Sequence, residues 1–302
     1  MVNKEKYFGV VPPLLTPLLS HDQIDEKAYE EMLWHVINGG VHGVFTMASS
    51  GEALHNARRV WEEGNKISLR VVGGKLPVYC GAIAASTAQA IENIKYLEDI
   101  GAAIAVVTPP CYAPRLMQSE ILRHYEAVLN HTNIDICLYS IPTLMGGIGI
   151  EPETAYELAG HDRVIMLKDS SPDWDHQQRM INLLEDRNIS MMTGGETFCT
   201  SSVMLGAQGN ISGFATVFPK LFVAAYSAAA GSDLPLARNL QKDIFSIMDL
   251  MKMGASAFSV MKYALSAAGI GTDINAYHTQ PLSQEQKTAV AQKVKSVMEI
   301  HG

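Results

Sequence analysis

The amino-acid sequence predicts an α/β protein, a (β/α)8 TIM barrel with a C-terminal helical extension. Short apolar runs alternate with amphipathic helical segments about eight times, with a period of roughly 20–35 residues, which is the pattern of that barrel. The apolar runs are continuous, as in parallel strands covered on both faces. A doubly wound sheet would place a glycine-rich turn after an early strand, whereas Gly39-Gly40 and Gly73-Gly74 precede strands.

Local patterns define the individual elements. Residues 24–38 place Ile24, Ala28 and Met32 on one helical face and stop at Gly39, a typical helix end. The predicted strands are residues 8–15, 41–47, 77–80, 102–107, 134–139, 164–168, 190–192 and 210–212. The predicted helices between them are residues 24–38, 58–72, 87–100, 119–129, 152–159, 174–184 and 197–205.

Four more helical segments follow the last predicted strand, at residues 220–230, 234–253, 255–268 and 283–299. They exceed what closing a barrel needs. We therefore expect a barrel with the catalytic site in residues 1–230 and a helical extension packed on it in residues 231–302, with no linker that would set off an independent domain.

Composition restricts the classes of partner. The formal net charge of −8 argues against binding to nucleic acid or to an anionic membrane surface. No apolar run reaches transmembrane length, and the N-terminal residues lack the apolar stretch of a signal peptide. The four cysteines occur singly, without a Cys-x-x-Cys pair, which predicts buried thiols in a reducing cytoplasm.

Barrel enzymes place their functional groups at the carboxyl ends of the strands. In this sequence those positions offer an amine, phenols, hydroxyls and few carboxylates: Thr16, Ser49, Ser50, Thr108, Tyr112, Tyr139, Lys168, Thr193, Gly194, Glu196 and Ser212. None of the ten histidines falls at a predicted strand end, so a metal site is not expected there. Asp173, which follows Ser171-Pro172, is predicted to begin a helix rather than to bind a metal.

Lys168 is the candidate catalytic residue. It closes the apolar run Val164-Ile165-Met166-Leu167, and a lysine there is costly unless its amine reaches a polar cavity or a partner. A desolvated amine loses its proton more readily, and the neutral amine can attack a carbonyl carbon to form a Schiff base. The alternatives are a lysine that extends to solvent, or one that pairs with Asp169.

Two other groups fit this chemistry. Tyr139 ends the strand before that of Lys168, so its phenol can relay a proton, although a packed core tyrosine is the alternative. Ser49-Ser50-Gly51 lies between a strand and a helix, where hydroxyls and backbone N–H groups can hold a small carboxylate; a serine-capped turn is the alternative. The glycines around Gly194 and in residues 209–213 also fit a barrel that binds a flavin or sugar phosphate.

Four segments occur in one order along the chain: Ala48-Ser49-Ser50-Gly51-Glu52, Val107-Thr108-Pro109-Pro110-Cys111-Tyr112, Leu138-Tyr139-Ser140-Ile141-Pro142 and Met166-Leu167-Lys168-Asp169-Ser170. Together they resemble the dihydrodipicolinate synthase / N-acetylneuraminate lyase family of pyruvate-dependent class I aldolases. The resemblance covers nearly the whole chain.

The resemblance implies a role for each segment. Lys168 would form the Schiff base and Tyr139 would shuttle protons, while Ser49, Ser50 and Gly51 would hold the carboxylate of the keto acid. Tyr112 resembles the tyrosine that one subunit lends across a tight dimer interface, although Cys111 is the alternative at that position. A homotetramer, built as a dimer of dimers, is implied as well.

One departure bears on the substrate. Dihydrodipicolinate synthases carry an arginine two residues beyond the proline of the Tyr-x-x-Pro segment, where this sequence has Leu144. That difference favours the lyase branch, and Asp169-Ser170 resembles members that act on 2-keto-3-deoxy sugar acids. Glu196 matches an acid that binds substrate hydroxyls in the sialic acid lyase. We add Leu144, Gly194 and Ser212 to the expected substrate-binding residues.

The expected activity is that of a carbon–carbon lyase that cleaves a 2-keto-3-deoxy sugar acid, or a related hydroxy-keto acid, to pyruvate and an aldehyde. It needs no cofactor or metal, because the covalent chemistry uses Lys168. A keto-acid dehydratase or a dihydrodipicolinate synthase of the same family is the alternative. A non-catalytic barrel that binds a keto acid is a further one.

Overall fold

The structure is a computed structural model that describes residues 3–113 and 115–302. Its centre is a sheet of eight parallel strands, which we number in chain order. They are β1 (Gly9–Val10), β2 (Val44–Thr46), β3 (Val78–Gly81), β4 (Ile104–Val107), β5 (Asp135–Ser140), β6 (Val164–Asp169), β7 (Ser190–Thr193) and β8 (Gly209–Asn210). From β2 to β8 each strand pairs with the next along the chain, and β8 pairs with β1.

The two ends of this sheet meet and close it into a barrel. The Phe45 N–H donates to the Pro12 carbonyl (3.0 Å), the Leu14 N–H donates to the Phe45 carbonyl (2.8 Å), and the His42 N–H donates to the Val10 carbonyl (2.8 Å). The first strand is shorter than the predicted 8–15, because Pro12 and Pro13 have no N–H to give to a ladder.

A helix follows each strand of the barrel. These are α1 (Glu26–Asn38), α2 (Arg58–Val72), α3 (Thr87–Asp99), α4 (Gln118–His131), α5 (Pro152–Leu158), α6 (Trp174–Leu183), α7 (Cys199–Met204) and α8 (Pro219–Ala230). The chain continues into α9 (Leu234–Met248), α10 (Ala257–Ala267) and α11 (Gln284–His301). The predicted fold class, a (β/α)8 barrel with a C-terminal helical extension, is confirmed.

Local signals explain where helices begin and end. Asp25 caps α1 by accepting a hydrogen bond from the Ala28 N–H (3.0 Å). Asp173 caps α6 in the same way, from the N–H groups of Asp175 (2.9 Å) and His176 (3.3 Å), as predicted. The predicted helix 234–253 is divided, because a 3₁₀ turn, Asp249–Lys252, follows α9. Short elements outside the prediction are a helix at Asn3–Lys6 and a hairpin of Leu18–Ser20 with Gln23–Ile24.

No helix in the described part of the chain is both long enough and apolar enough to cross a membrane. The described cysteines, Cys80, Cys111, Cys137 and Cys199, are all free thiols. Burial raises the pKa of Cys80 and Cys137 to about 12. Those two side chains therefore act as small apolar groups in the barrel wall.

One buried histidine makes the fold sensitive to acid. The ring of His124 in α4 donates through Nε2 to the Thr108 carbonyl (3.1 Å), so Nδ1 accepts from the Thr87 hydroxyl (2.9 Å). Acceptance of a hydrogen bond at Nδ1 requires the neutral ring. Burial lowers the pKa of His124 to about 4, although the Thr108 carbonyl favours the protonated form.

We predict that His124→Gln makes the free energy of unfolding less dependent on pH between about 6.5 and 4. In that range an unfolded histidine takes up a proton that folded His124 resists, so the wild type loses roughly 3 kcal/mol as the pH falls. Urea denaturation at pH 7 and pH 4.5 measures the difference. His131→Gln at an exposed site is the control. An equal loss in His124→Gln and wild type would contradict the prediction.

Candidate active site

Lys168 lies near the carboxyl end of β6, where its side chain is only 4% exposed. Tyr139 of β5 is directly opposite it in the ladder. The ammonium nitrogen Nζ lies 4.1 Å from the centroid of the Tyr139 ring and 5.2 Å from that of Phe45. The π faces of two aromatic rings therefore surround the amine, an arrangement that stabilises a cation without supplying a counter-charge.

Asp169 does not pair with Lys168, so this alternative from the sequence is wrong. Successive residues of a strand point to opposite faces, and the Asp169 carboxylate is directed away from the amine. Its Oδ1 accepts from the Ser171 N–H (2.7 Å), and Oδ2 lies 3.2 Å from His176 Nε2. This contact raises the pKa of His176. In residues 3–113 and 115–302 no carboxylate forms an ion pair with Lys168.

Lys168 opens into a pocket of about 580 Å³ at the carboxyl end of the barrel. The pocket is lined by most of the residues that the sequence predicts for the site, which are Ser49, Ser50, Tyr139, Leu144, Lys168, Gly194 and Glu196. These residues belong to strands β5 and β6 and to the connections that follow β2, β5 and β7, and the closed barrel brings them together in one cavity.

The turn of Ser49 and Ser50 joins β2 to α2. Both serines line the pocket, whereas Gly51 is buried behind them. The Gly51 carbonyl accepts from the Thr16 hydroxyl (2.7 Å) and from Asn56 Nδ2 (3.0 Å). A Cβ at Gly51 would lie 2.8 Å from the Leu14 carbonyl oxygen. Gly51 therefore shapes the turn, and the structure does not place it against a substrate as the sequence predicts.

Glu196 is held in place rather than solvated. Its Oε1 accepts from the N–H groups of Gly213 (2.8 Å) and Phe214 (3.4 Å), at the start of the 3₁₀ turn Gly213–Thr216. Burial raises the pKa of Glu196, while those N–H groups and the Lys168 ammonium favour its charged form. One side of the carboxylate is occupied by the backbone, and the residue faces the pocket that holds Lys168.

Gly194 and Ser212 differ in what they do. A Cβ at Gly194 would lie 1.9 Å from the Ser170 hydroxyl oxygen, so a side chain at this position would force Ser170 out of place. Ser212 is fully buried, with its Oγ 3.2 Å from Cys199 Sγ, and only its neighbours Ile211 and Gly213 line the pocket. The predicted contact of Ser212 with substrate is therefore not supported.

Tyr112 lies outside the Lys168 pocket. Its side chain is fully exposed, and its backbone adopts a positive φ of 54°, which is strained for a residue with a side chain. Tyr112 and Cys111 both line a neighbouring cavity of about 680 Å³, which shares Ser49, Leu144 and Phe258 with the pocket. Tyr112 and Cys111 therefore both remain candidates for the residue that contacts a partner subunit.

The C-terminal extension supplies a wall that the sequence did not predict. Met248, Met251, Phe258 and Met261, all from α9 to α10, line the pocket opposite the strand ends. Their spacing is that of ordinary helix faces, so no local pattern distinguishes them from core residues. Ser170 is the one further polar residue with a usable signal, because it stands two positions after Lys168 in the same motif.

Comparison with known sequences agrees with this geometry. The profile of the dihydrodipicolinate synthetase family matches residues 6–298. A 4-hydroxy-tetrahydrodipicolinate synthase from Thermodesulfovibrio yellowstonii is 29% identical over 292 residues, covering 95% of this chain and 97% of the relative. A protein of Escherichia coli named "Probable 2-dehydro-3-deoxy-D-pentonate aldolase" is 26% identical over 293 residues, covering 94% of each chain.

Solved structures share the fold over nearly the same span. The dihydrodipicolinate synthase of Bacteroides thetaiotaomicron superposes with a TM-score of 0.90 at 30% identity, covering 96% of this chain and 98% of that one. YagE from E. coli, solved in complex with pyruvate, gives a TM-score of 0.91 at 21% identity, covering 97% and 99% of the two chains. At that identity the second likeness shows the fold alone.

We predict that borohydride reduction in the presence of pyruvate attaches a pyruvyl group to Lys168. The amine is buried, lines the pocket and has no carboxylate bound to it among the described residues, so it is available as a nucleophile. Peptide mass mapping locates the adduct, with a chelator present throughout. Lys262 is an internal control, because it is also buried but ion-paired. An adduct on another lysine, or none, would contradict the prediction.

Proposed function

Because this chain belongs to the dihydrodipicolinate synthetase family, whose members are pyruvate-dependent aldolases and lyases, we propose that it is a class I aldolase. Its substrate is a 2-keto-3-deoxy sugar acid or a related hydroxy-keto acid, which it cleaves to pyruvate and an aldehyde. The observation that carries the proposal is the buried Lys168 amine beside Tyr139. The other polar side chains that line the pocket carry hydroxyl groups or, at Glu196, a carboxylate.

The first stage is formation of the Schiff base. Lys168 Nζ attacks the C2 carbonyl carbon, and loss of water leaves a protonated imine. Ser49 and Ser50, at the other side of the pocket, hold the substrate carboxylate with hydroxyl and backbone N–H donors. Because the carboxylate is held, the C2 carbon has a fixed position relative to the amine, which lowers the entropic cost of the reaction.

The second stage is cleavage. The Tyr139 phenol gives its proton to the hydroxyl that leaves as water when the imine forms, and the resulting phenolate accepts the proton of the C4 hydroxyl. The C3–C4 bond then breaks, and its electron pair moves into the imine to give an enamine. The aldehyde leaves. Protonation of the enamine at C3 and hydrolysis of the imine by water then release pyruvate and restore the Lys168 amine. No cofactor is proposed, because the imine itself is the electron sink.

The tail of the substrate is bound by groups that suit hydroxyls. Thr143, Ser170, Glu196 and Ser256 line the pocket, and each offers hydroxyl or carboxylate oxygens. Lys168 is the one cation among the described residues that line it. Arg115 is exposed and lines neither this pocket nor the neighbouring cavity. These features support a polyhydroxylated tail over a carboxylate.

The synthase reaction is the second candidate, since several relatives carry that name. It requires a cation for the carboxylate of the second substrate, and Leu144 stands where the synthases have their arginine. A dehydratase shares the imine but loses water, and a keto-acid-binding barrel without turnover would show no product. Product analysis separates all of these from the aldolase.

We propose a homotetramer, built as a dimer of dimers, in a reducing cytoplasm. The exposed, strained Tyr112 supports a subunit interface next to the pocket, since a partner would cover its ring. The four free thiols support a reducing compartment. A small-molecule keto acid and an aldehyde are the remaining partners.

We predict that Tyr139→Phe lowers the cleavage rate by about 10²–10⁴-fold while the concentration of pyruvate for half-maximal imine formation stays within a few-fold. The phenol moves a proton in cleavage, whereas the ring that contacts Lys168 is kept in the variant. Tyr156→Phe is the control, because its hydroxyl contacts the Asp186 carboxylate (3.4 Å) outside the pocket. A Tyr139→Phe rate within a few-fold of wild type would make Tyr139 a packing residue.

We predict cleavage of at least one 2-keto-3-deoxy sugar acid and negligible condensation of pyruvate with aspartate semialdehyde. Pyruvate release and a coupled condensation assay measure the two reactions. Leu144→Arg should raise the condensation rate at least tenfold, because Leu144 is 56% exposed at the pocket and an arginine fits there. Leu54→Arg, in the neighbouring cavity, is the matched control. Efficient condensation by the wild type, without release of pyruvate from any sugar acid, would overturn the proposal.

A further inference from the structure

Glu52 directly follows the Ser49-Ser50-Gly51 turn and is fully buried, which is rare for a glutamate. Its backbone has a φ of 57°, in the left-handed region that disfavours residues with a side chain. The Glu52 N–H donates to the Ser49 carbonyl (2.9 Å) and so closes the turn. The conformation of the turn therefore depends on whatever holds Glu52 in this unfavourable state.

The C-terminal extension holds it. Glu52 Oε1 accepts from the Ala276 N–H (2.9 Å), and Oε2 forms an ion pair with Lys262 Nζ. The Lys262 side chain, in α10, is 1% exposed, and its Nζ also donates to the Ile274 carbonyl (2.9 Å). Burial lowers the pKa of Lys262, and the neighbouring Glu52 carboxylate opposes that shift.

The same contact joins two walls of the pocket. Helix α10 carries Phe258 and Met261, which line the pocket, and the turn carries Ser49 and Ser50, which line it too. The walls approach each other at Gly213, where a Cβ would lie 2.8 Å from Met261 Sδ and 3.7 Å from Ser50 Oγ. One buried ion pair thus fixes the distance between the serine turn and the extension.

Stability alone does not account for such a pair. Both ions lose their hydration, so two apolar residues of the same shape would stabilise the fold about as well. A carboxylate with a donor on each oxygen has a defined position and orientation, which apolar packing does not impose. The ion pair therefore fixes the position of Glu52, which lies three residues after Ser49 in the chain.

We propose that Glu52 and Lys262 are positioning residues, whose ion pair keeps Ser49 and Ser50 in the arrangement that receives the carboxylate of the 2-keto acid. The inference rests on the proposed function, in which this turn binds that carboxylate. Neither residue lines the pocket, so both act through the serines.

Glu52→Gln is the sharpest test, because it keeps the size of the side chain. An amide has one oxygen and one NH₂ group, whereas Glu52 accepts on both oxygens. In either orientation of the amide, its NH₂ group faces a donor, which is Lys262 Nζ or the Ala276 N–H. The turn therefore loses one of the two contacts that join it to the extension.

The measurement is the rate of borohydride trapping on Lys168 as a function of pyruvate concentration. For Glu52→Gln we expect the half-saturating pyruvate concentration to rise at least tenfold, which corresponds to about 1.4 kcal/mol of binding free energy. The trapping rate at saturating pyruvate should stay within about threefold of wild type. A purely structural defect would instead lower the fraction of protein that reacts and leave the half-saturating concentration unchanged.

His301→Gln is the matched control, because the His301 ring contacts Asp243 (2.9 Å) within the same extension and neither residue lines the Lys168 pocket. It should leave the half-saturating concentration unchanged. If the single variant does not fold, the double variant Glu52→Gln, Lys262→Met replaces it in the test, because it removes both buried charges. We expect the same rise in the half-saturating pyruvate concentration. A folded variant of either kind with wild-type half-saturation overturns the inference. Absence of any adduct in the wild type would instead refute the proposed function.

Discussion

The structure depends on keeping the buried Lys168 amine free of an ion pair within the described residues, although Asp169 follows it in the strand and Glu196 lines the same pocket. Each of these carboxylates has other partners: that of Asp169 accepts from the Ser171 N–H and lies 3.2 Å from His176, and that of Glu196 accepts from two backbone N–H groups. The buried Glu52 carboxylate likewise has Lys262 and the Ala276 N–H. Any of them placed against Lys168 would hold it as an ammonium ion and block attack on a carbonyl. The fold thus separates the charge of Asp169 from that of Lys168, although the two residues are adjacent in the sequence.

The sequence was sufficient to predict the barrel because its signals are local. Most of the strands are short apolar runs, such as Ile104–Val107, and helix ends follow cap residues such as Asp25 and Gly39. The candidate lysine was also identifiable locally, since a lysine at the end of Val164–Asp169 breaks an apolar run. Gly51 and Ser212 show the limit of this reasoning, because position at a strand end does not determine which way a side chain points.

The features that could not be predicted from the sequence are contacts between segments that lie far apart in the chain. Glu52 and Lys262 are 210 residues apart, and nothing in either neighbourhood indicates the other. The methionines and Phe258 of the extension resemble ordinary core residues of amphipathic helices. The pocket therefore combines strand ends and connections of the barrel with one wall that comes from the extension. Changes in that wall can alter which tail is accepted without touching Lys168 or Tyr139.

The closure of the barrel has a consequence for the surroundings of the amine. Between β1 and β2 the ladder is interrupted by Pro12 and Pro13, and the join relies on isolated backbone bonds around Phe45. Phe45 is also the residue whose ring faces Lys168, and Pro13 lines the pocket. The side of the barrel without a continuous ladder is thus the side that contacts the amine. Rigidity there comes from interlocked side chains, so the core packing around Phe45 governs the position of the Lys168 amine.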